Sequence, residues 1–148
     1  MLKAQRRAEV SWEGSLIEGS GKVVSVGSGA FKDLPLTWAS RTERSDGRTS
    51  PEELLAAAHA GCYAMAFSHA LAQAGTPAEQ LFVTAVCTFE QVENGFKVST
   101  MDLNVRGKVS GLKQAHFVDA ARNAEQGCPV SNALRNNVNI QVTAELEQ

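Results

Sequence analysis

From residue 8 to residue 14 the order Ala-Glu-Val-Ser-Trp-Glu-Gly puts Val10 and Trp12 on one face with polar neighbours between them, the two-residue alternation of a strand. SGKVVSVGSG (20–29) reads as a second strand bounded by glycines and PLTWAS (35–40) as a third, with loop expected over 41–49. The period then changes. Ser50-Pro51-Glu52-Glu53 combines a capping serine, a proline in the first helical position and a glutamate three after the cap, so a helix is predicted from here to about Ala74. Gly75 closes it and Pro77 bars continuation. Beyond it, strands are predicted over 81–92 and 96–109, flanking Glu93-Asn94-Gly95, because Asn-Gly is the strongest short hairpin signal. Phe117, Ala120, Ala121 and Ala124 recur at helical spacing in 114–126, Cys128-Pro129-Val130 opens a shorter helix, and 138–146 finishes as a strand. Three strands, a long helix, two strands, two helices and a strand, with no internal repeat or linker, predict one α+β domain over residues 1–148 built on antiparallel sheet.

The long helix narrows the choice of environment. Residues 54–75 contain no Asp, Glu, Lys or Arg over 22 positions, which is long enough for a membrane span. Nine of the 22 are alanine, however, and His59, Ser68, His69 and Gln73 are scattered around its faces, so it reads instead as a helix buried in a core or a subunit interface. No membrane is expected. At 43% hydrophobic and 20% charged the composition is that of an ordinary folded domain. Lys and Arg number 14 against 16 Asp and Glu, a net charge of -2 with pI ≈ 5.9, so there is no basic field to gather phosphates and nucleic acid is not expected as a partner. The opening MLKAQRRAEV has basic residues without a following apolar run, so neither a secretory signal nor a lipid anchor is read there and a cytoplasmic location is expected.

Cys62, Cys87 and Cys128 lie far apart, with no Cys-x-x-Cys and no dense even set, and so do not form a disulfide framework. In a reducing compartment a disulfide that does form is usually transient, catalytic or redox-sensing. Cys128 sits where a helix begins, so unpaired N–H groups and the positive end of the macrodipole favour its thiolate. It reads equally well as a small buried hydrophobe. Cys62 lies mid-helix, where its activation needs a cation brought from elsewhere, and Arg41, Arg44 and Arg48 precede that helix. Cys87, inside an alternating strand, reads as core. Position alone ranks the thiols Cys128, Cys62, Cys87. His59 and Cys62, three apart, share a helix face and with Cys128 make a conceivable zinc set. No second spaced ligand pair exists, and a buried, hydrogen-bonded histidine is the plainer reading of His59.

TSPEELLAAAHAGCYAMAFSHAL (49–71), followed much later by GCPVS (127–131), resembles the osmotically inducible protein C and organic hydroperoxide resistance family. SWEGSLIEGSGKVVSVGSG near the start and VENGFKVSTMDL in the hairpin extend the resemblance over nearly the whole chain and favour the osmotically inducible branch. The resemblance implies antiparallel sheets wrapped around a long buried central helix in an intertwined homodimer. It further implies a thiol peroxidase that reduces organic hydroperoxides with two cysteines and no metal or bound cofactor. Cys62 becomes the peroxidatic thiol and Cys128 the resolving one, which overrules the ranking by position. The family's glutamate falls at Glu52 and its thiolate-activating arginine at Arg41, with Arg44 as a rival because the loop to Pro51 is longer than usual. Ser50 stands where many relatives carry asparagine, and either residue caps a helix. The implied partners are a hydroperoxide, a second copy of the chain and an external dithiol, for which the family prefers dihydrolipoyl proteins. Tyr63, Met65 and Phe67 are expected to line an apolar pocket suited to alkyl or lipid hydroperoxides.

Helix geometry adds a constraint. Ten residues separate Glu52 from Cys62, roughly 15 Å on a straight helix, too far for one arginine to touch both within a chain. Either the helix breaks, or Arg41 and Glu52 of one subunit serve Cys62 of the other. A different class of function, a non-catalytic stress-associated protein that binds an apolar ligand at the dimer interface, stands as the alternative.

Overall fold

The alternation near the start of the chain builds a sheet in which β1 (Ala8–Glu13), β2 (Ser20–Val26) and β3 (Lys32–Leu36) pair antiparallel in that order, in a computed structural model that describes residues 1–147. The third strand lies three residues earlier than the sequence predicts, and the reason is a cap. Thr37 Oγ1 accepts the Ser40 N–H at 3.0 Å while Ser40 Oγ accepts the Thr37 N–H at 2.9 Å, a reciprocal box that ends extended structure and starts α1 (Trp38–Thr42) where strand and loop are expected. Pro35 is tolerated because β3 is an edge strand of this sheet. Within the span expected as one domain the backbone groups into two compact units, Met1–Pro51 and Glu52–Gln148.

The second unit is organised by α2 (Pro51–Gln73), which ends as the sequence predicts. Gly75 adopts φ 85°, the Thr76 N–H reaches Leu71 O at 2.9 Å and the Gly75 N–H reaches Ala72 O at 3.0 Å, which is a Schellman stop. Within the chain, His59, Tyr63, Phe67 and Leu71, four apart, form one buried stripe, whereas Met65 on another face is 76% exposed. Alanine supplies most of the remainder, so the helix is apolar without being enclosed by its own chain. It is also the one helix among the described residues whose length and composition would suit a membrane span, yet its inner stripe is part of this unit's core.

β4 (Gln80–Val92) and β5 (Gly95–Lys108) form the predicted hairpin, with Val92 paired to Gly95. The two loop residues are therefore Glu93 and Asn94, and the positive φ, 142°, falls on Gly95, the first residue after the loop, and not on Asn94 as a two-residue Asn-Gly turn would also require. α3 (Gln114–Gln126) and α4 (Pro129–Leu134) follow, then β6 (Asn139–Leu146). Here antiparallel pairing fails, because β6 runs parallel to β5, from Thr100 opposite Asn139 to Gly107 opposite Leu146. Parallel neighbours need a long crossover to bring the chain back to the same end, and α3 with α4 is that crossover.

Burial alternates along β5: Met101, Leu103 and Val105 are enclosed and Asp102, Asn104 and Arg106 are not. This inward face meets Tyr63 and Phe67 of α2 and Phe117 and Ala121 of α3 in a single cluster. Gly107 continues the face without a side chain, since a Cβ there would lie 2.6 Å from the Phe117 ring. Gly107→Ala therefore overpacks a closed core, and its urea midpoint at unchanged slope is expected to fall by the equivalent of about 1–3 kcal/mol.

Candidate active site

α2 and α4 bring two of the anticipated residues together. The Cys62 and Cys128 thiols lie within hydrogen-bonding reach of one another, both reduced, with Cys62 half-buried and Cys128 completely enclosed. Cys128 is the N-cap of α4, φ -81° and ψ 117°, with no side-chain cap bond of its own. The sequence leads one to expect the helix start to serve Cys128, yet the backbone N–H of Val130 donates to the sulfur of Cys62. Burial pushes the Cys62 thiol above its usual range and the nearby Cys128 adds to this, while the Val130 amide opposes it by favouring the thiolate.

One turn away on each helix lies a second contact. His59 Nε2 is 2.7 Å from Ser131 Oγ, and both residues are fully buried. The two helices thus touch at matched positions, 62 with 128 and 59 with 131. Burial lowers the His59 pKa, partly countered by Glu125, so the ring is held toward its neutral form. The Tyr63 hydroxyl donates to Ala121 O at 2.7 Å and ties α2 to α3. Arg135, at the end of α4, pairs with the buried Glu125 of α3 at 2.9 Å and donates to Asn132 Oδ1 at 3.0 Å. Sequence reasoning left Ser131, Glu125 and Arg135 unremarked, although the equal spacing of His-x-x-Cys on one helix and Cys-x-x-Ser on another was there to be read.

The remaining anticipated residues are placed elsewhere. In the first unit Arg41 sits in the last turn of α1, its guanidinium 5.9 Å from the Trp38 ring, and lines an apolar cleft with Trp12, Leu16, Leu36 and Trp38. Arg44 is 86% exposed beside Asp46. In the second unit Glu52 is buried at the start of α2, and its carboxylate acts on Cys87, whose thiol is pushed up first by burial and then by that charge. The expected pocket of Tyr63, Met65 and Phe67 is not formed: Tyr63 and Phe67 point into the core, and Met65 points away from it. The zinc set is not assembled either, because His59 Nε2 is engaged by Ser131 and no group of three or more His, Cys, Asp or Glu suited to a metal occurs among the described residues.

Three comparisons bear on this arrangement. The family model described as OsmC-like protein matches residues 44–143. The peroxiredoxin OsmC of Escherichia coli K12 is 34% identical over 134 residues, which is 90% of this chain and 92% of that protein. An organic hydroperoxide resistance protein of Xanthomonas axonopodis pv. citri is 32% identical over 97 residues, 64% of this chain and 66% of that one. Among solved structures, an organic hydroperoxide resistance protein OsmC from Legionella pneumophila superposes with a TM-score of 0.70 at 26% identity, covering 97% of this chain and 99% of that chain. One from Elizabethkingia anophelis, at 23% identity, shares the fold with a TM-score of 0.74 over 99% of this chain and 100% of that chain.

Proposed function

Because the chain belongs to the OsmC-like protein family, we propose that it is a peroxidase-type stress protein that reduces organic hydroperoxides through Cys62 and Cys128. The observation that carries this reading is the pairing of a half-exposed Cys62 with an enclosed Cys128 inside hydrogen-bonding reach. Peroxide arriving from solvent meets Cys62 first. Its thiolate attacks the outer oxygen of the hydroperoxide, the O–O bond breaks, the alcohol leaves with a proton, and Cys62 becomes a sulfenic acid. The Cys128 thiol then attacks that sulfur, the S–O bond breaks, water departs and a disulfide remains. An external dithiol, such as a dihydrolipoyl protein, restores both thiols by exchange.

Cys62 needs a cation to overcome the burial that disfavours its thiolate, and a guanidinium supplies both the charge and a fork of donors for a peroxide oxygen. Arg41, facing an apolar cleft, is better suited than the solvated Arg44 to meet an alkyl hydroperoxide there. α2 is unbroken from Pro51 to Gln73, so Glu52 and Cys62 stay roughly 15 Å apart within a chain. This favours a homodimer in which Arg41 and Glu52 of one subunit serve Cys62 of the other, and the apolar outer face of α2 around Met65 is suited to burial against a second copy.

Reduced protein titrated with equimolar cumene hydroperoxide is expected to lose two thiols quickly and to yield a Cys62–Cys128 linkage by mass spectrometry, more slowly with hydrogen peroxide. Thiols that survive the organic peroxide, or a linkage through Cys87, would overturn the peroxidase reading and leave ligand binding in its place.

A further inference from the structure

We propose that the hydrogen bond between His59 and Ser131 is a positioning device that holds Cys128 in line with the sulfur of Cys62, and that it sets the rate of disulfide closure. This rests on the two-cysteine reading. A disulfide requires Cα atoms about 4.4–6.8 Å apart with the Cβ vectors turned toward each other, so small rotations of either helix matter. α4 is only six residues long, far short of what stands alone in water, and its N-cap residue makes no side-chain cap bond. Its orientation must therefore come from anchors to its neighbours. Arg135 holds its far end to Glu125 of α3. Ser131, one turn from Cys128, is the anchor toward α2, and its partner His59 is one turn from Cys62. The two contacts form a ladder of two rungs, hydroxyl to imidazole and thiol to thiol.

The chemistry of the first rung is costly for mere packing. His59 is completely buried, and among the described residues its Nδ1 has no hydrogen-bond partner, so the ring is enclosed for one bond. A leucine would fill the same space without that penalty. Between two fully buried residues a 2.7 Å bond is strong and directional, which is what fixing a helix rotation demands. Closure itself balances without further reactants: Cys128 S–H and Cys62 S–OH give S–S and water.

The test separates the two chemical steps. With limiting cumene hydroperoxide, thiol loss at Cys62 reports the first step, and competition between disulfide formation and trapping of the sulfenic acid by dimedone reports the second. Ser131→Ala is expected to leave the first step unchanged and slow closure about tenfold, the scale of one hydrogen bond, with a matching rise in the dimedone adduct. Ser131→Thr, which keeps the hydroxyl, is expected to restore closure. His59→Leu removes the rung without leaving an orphaned polar atom on α2 and guards against loss of fold; the same slowing is expected. A residue serving packing alone would lower the melting temperature with the partition between disulfide and adduct unmoved, and that result in Ser131→Ala and His59→Leu would overturn the inference. If the wild-type chain forms no Cys62–Cys128 disulfide at all, the peroxidase reading falls first and takes the inference with it.

Discussion

Cys62→Ser is expected to abolish consumption of cumene hydroperoxide, a loss on the order of a thousandfold or more, as removal of an enzyme's nucleophile generally produces. A serine hydroxyl in the same half-buried place cannot ionise near neutrality or carry the oxidised sulfur state, so neither chemical step survives. Cys128→Ser should behave differently: one peroxide is consumed and Cys62 stops at the sulfenic acid, which a coupled peroxide assay with dimedone labelling distinguishes. The Cys62 variant also reports on subunit sharing. Dimers of Glu52→Ala mixed with dimers of Cys62→Ser, after exchange of chains, are expected to recover about a quarter of wild-type activity, since half the dimers are mixed and each of these holds one intact site. No recovery would place Glu52 and Cys62 in the service of the same chain. An active Cys62→Ser protein would end the peroxidase reading.

Arg135→Ala is expected to lower unfolding free energy by about 3 kcal/mol, the lower end of the range for breaking a buried ion pair. The lower end applies because Glu125 is 7% exposed but Arg135 keeps 31% of its side chain in solvent. The cost comes from leaving the Glu125 carboxylate enclosed without its partner, since Arg135 also contributes the bonds to Asn132 Oδ1 and to Glu125 O at 3.3 Å. Replacing both residues with methionine should recover much of the loss, because two apolar side chains strand no charge. Urea denaturation of the single and double variants decides it. A double variant no more stable than Arg135→Ala would mean that the pair acts through its geometry and not through avoidance of an unpaired charge.

Much of this molecule is legible in its sequence where a local rule decides. The Schellman stop at Gly75, the hairpin around residue 94 and the span of α3 follow from capping, turn chemistry and helical spacing, and the resemblance read from 49–71 and 127–131 agrees with the family match and with the full-length similarity to peroxiredoxin OsmC. What escapes is decided by distant partners. Nothing within 139–146 says which way β6 will run, because its direction is set by the crossover before it and the open edge of β5. The half-exposure of α2 is hidden by its alanines: with apolar residues on every side there is no polar stripe to mark the outside. The Thr37–Ser40 box escapes because serine stands where the usual signature has glutamate or glutamine. His59 reads correctly as a buried, hydrogen-bonded histidine, but its partner lies 72 residues away, and only the fold shows that the partner belongs to the helix that carries Cys128.

The complete enclosure of Cys128 would give the proposed redox cycle a direction of traffic. With the pair oxidised, only the Cys62 sulfur would face outward, so a reducing dithiol arriving from solvent would have one doorway. It would make its mixed disulfide with Cys62 and expel Cys128 inward as the leaving group. On that reading peroxide and reductant arrive at the same atom in alternation, and neither visitor need touch Cys128.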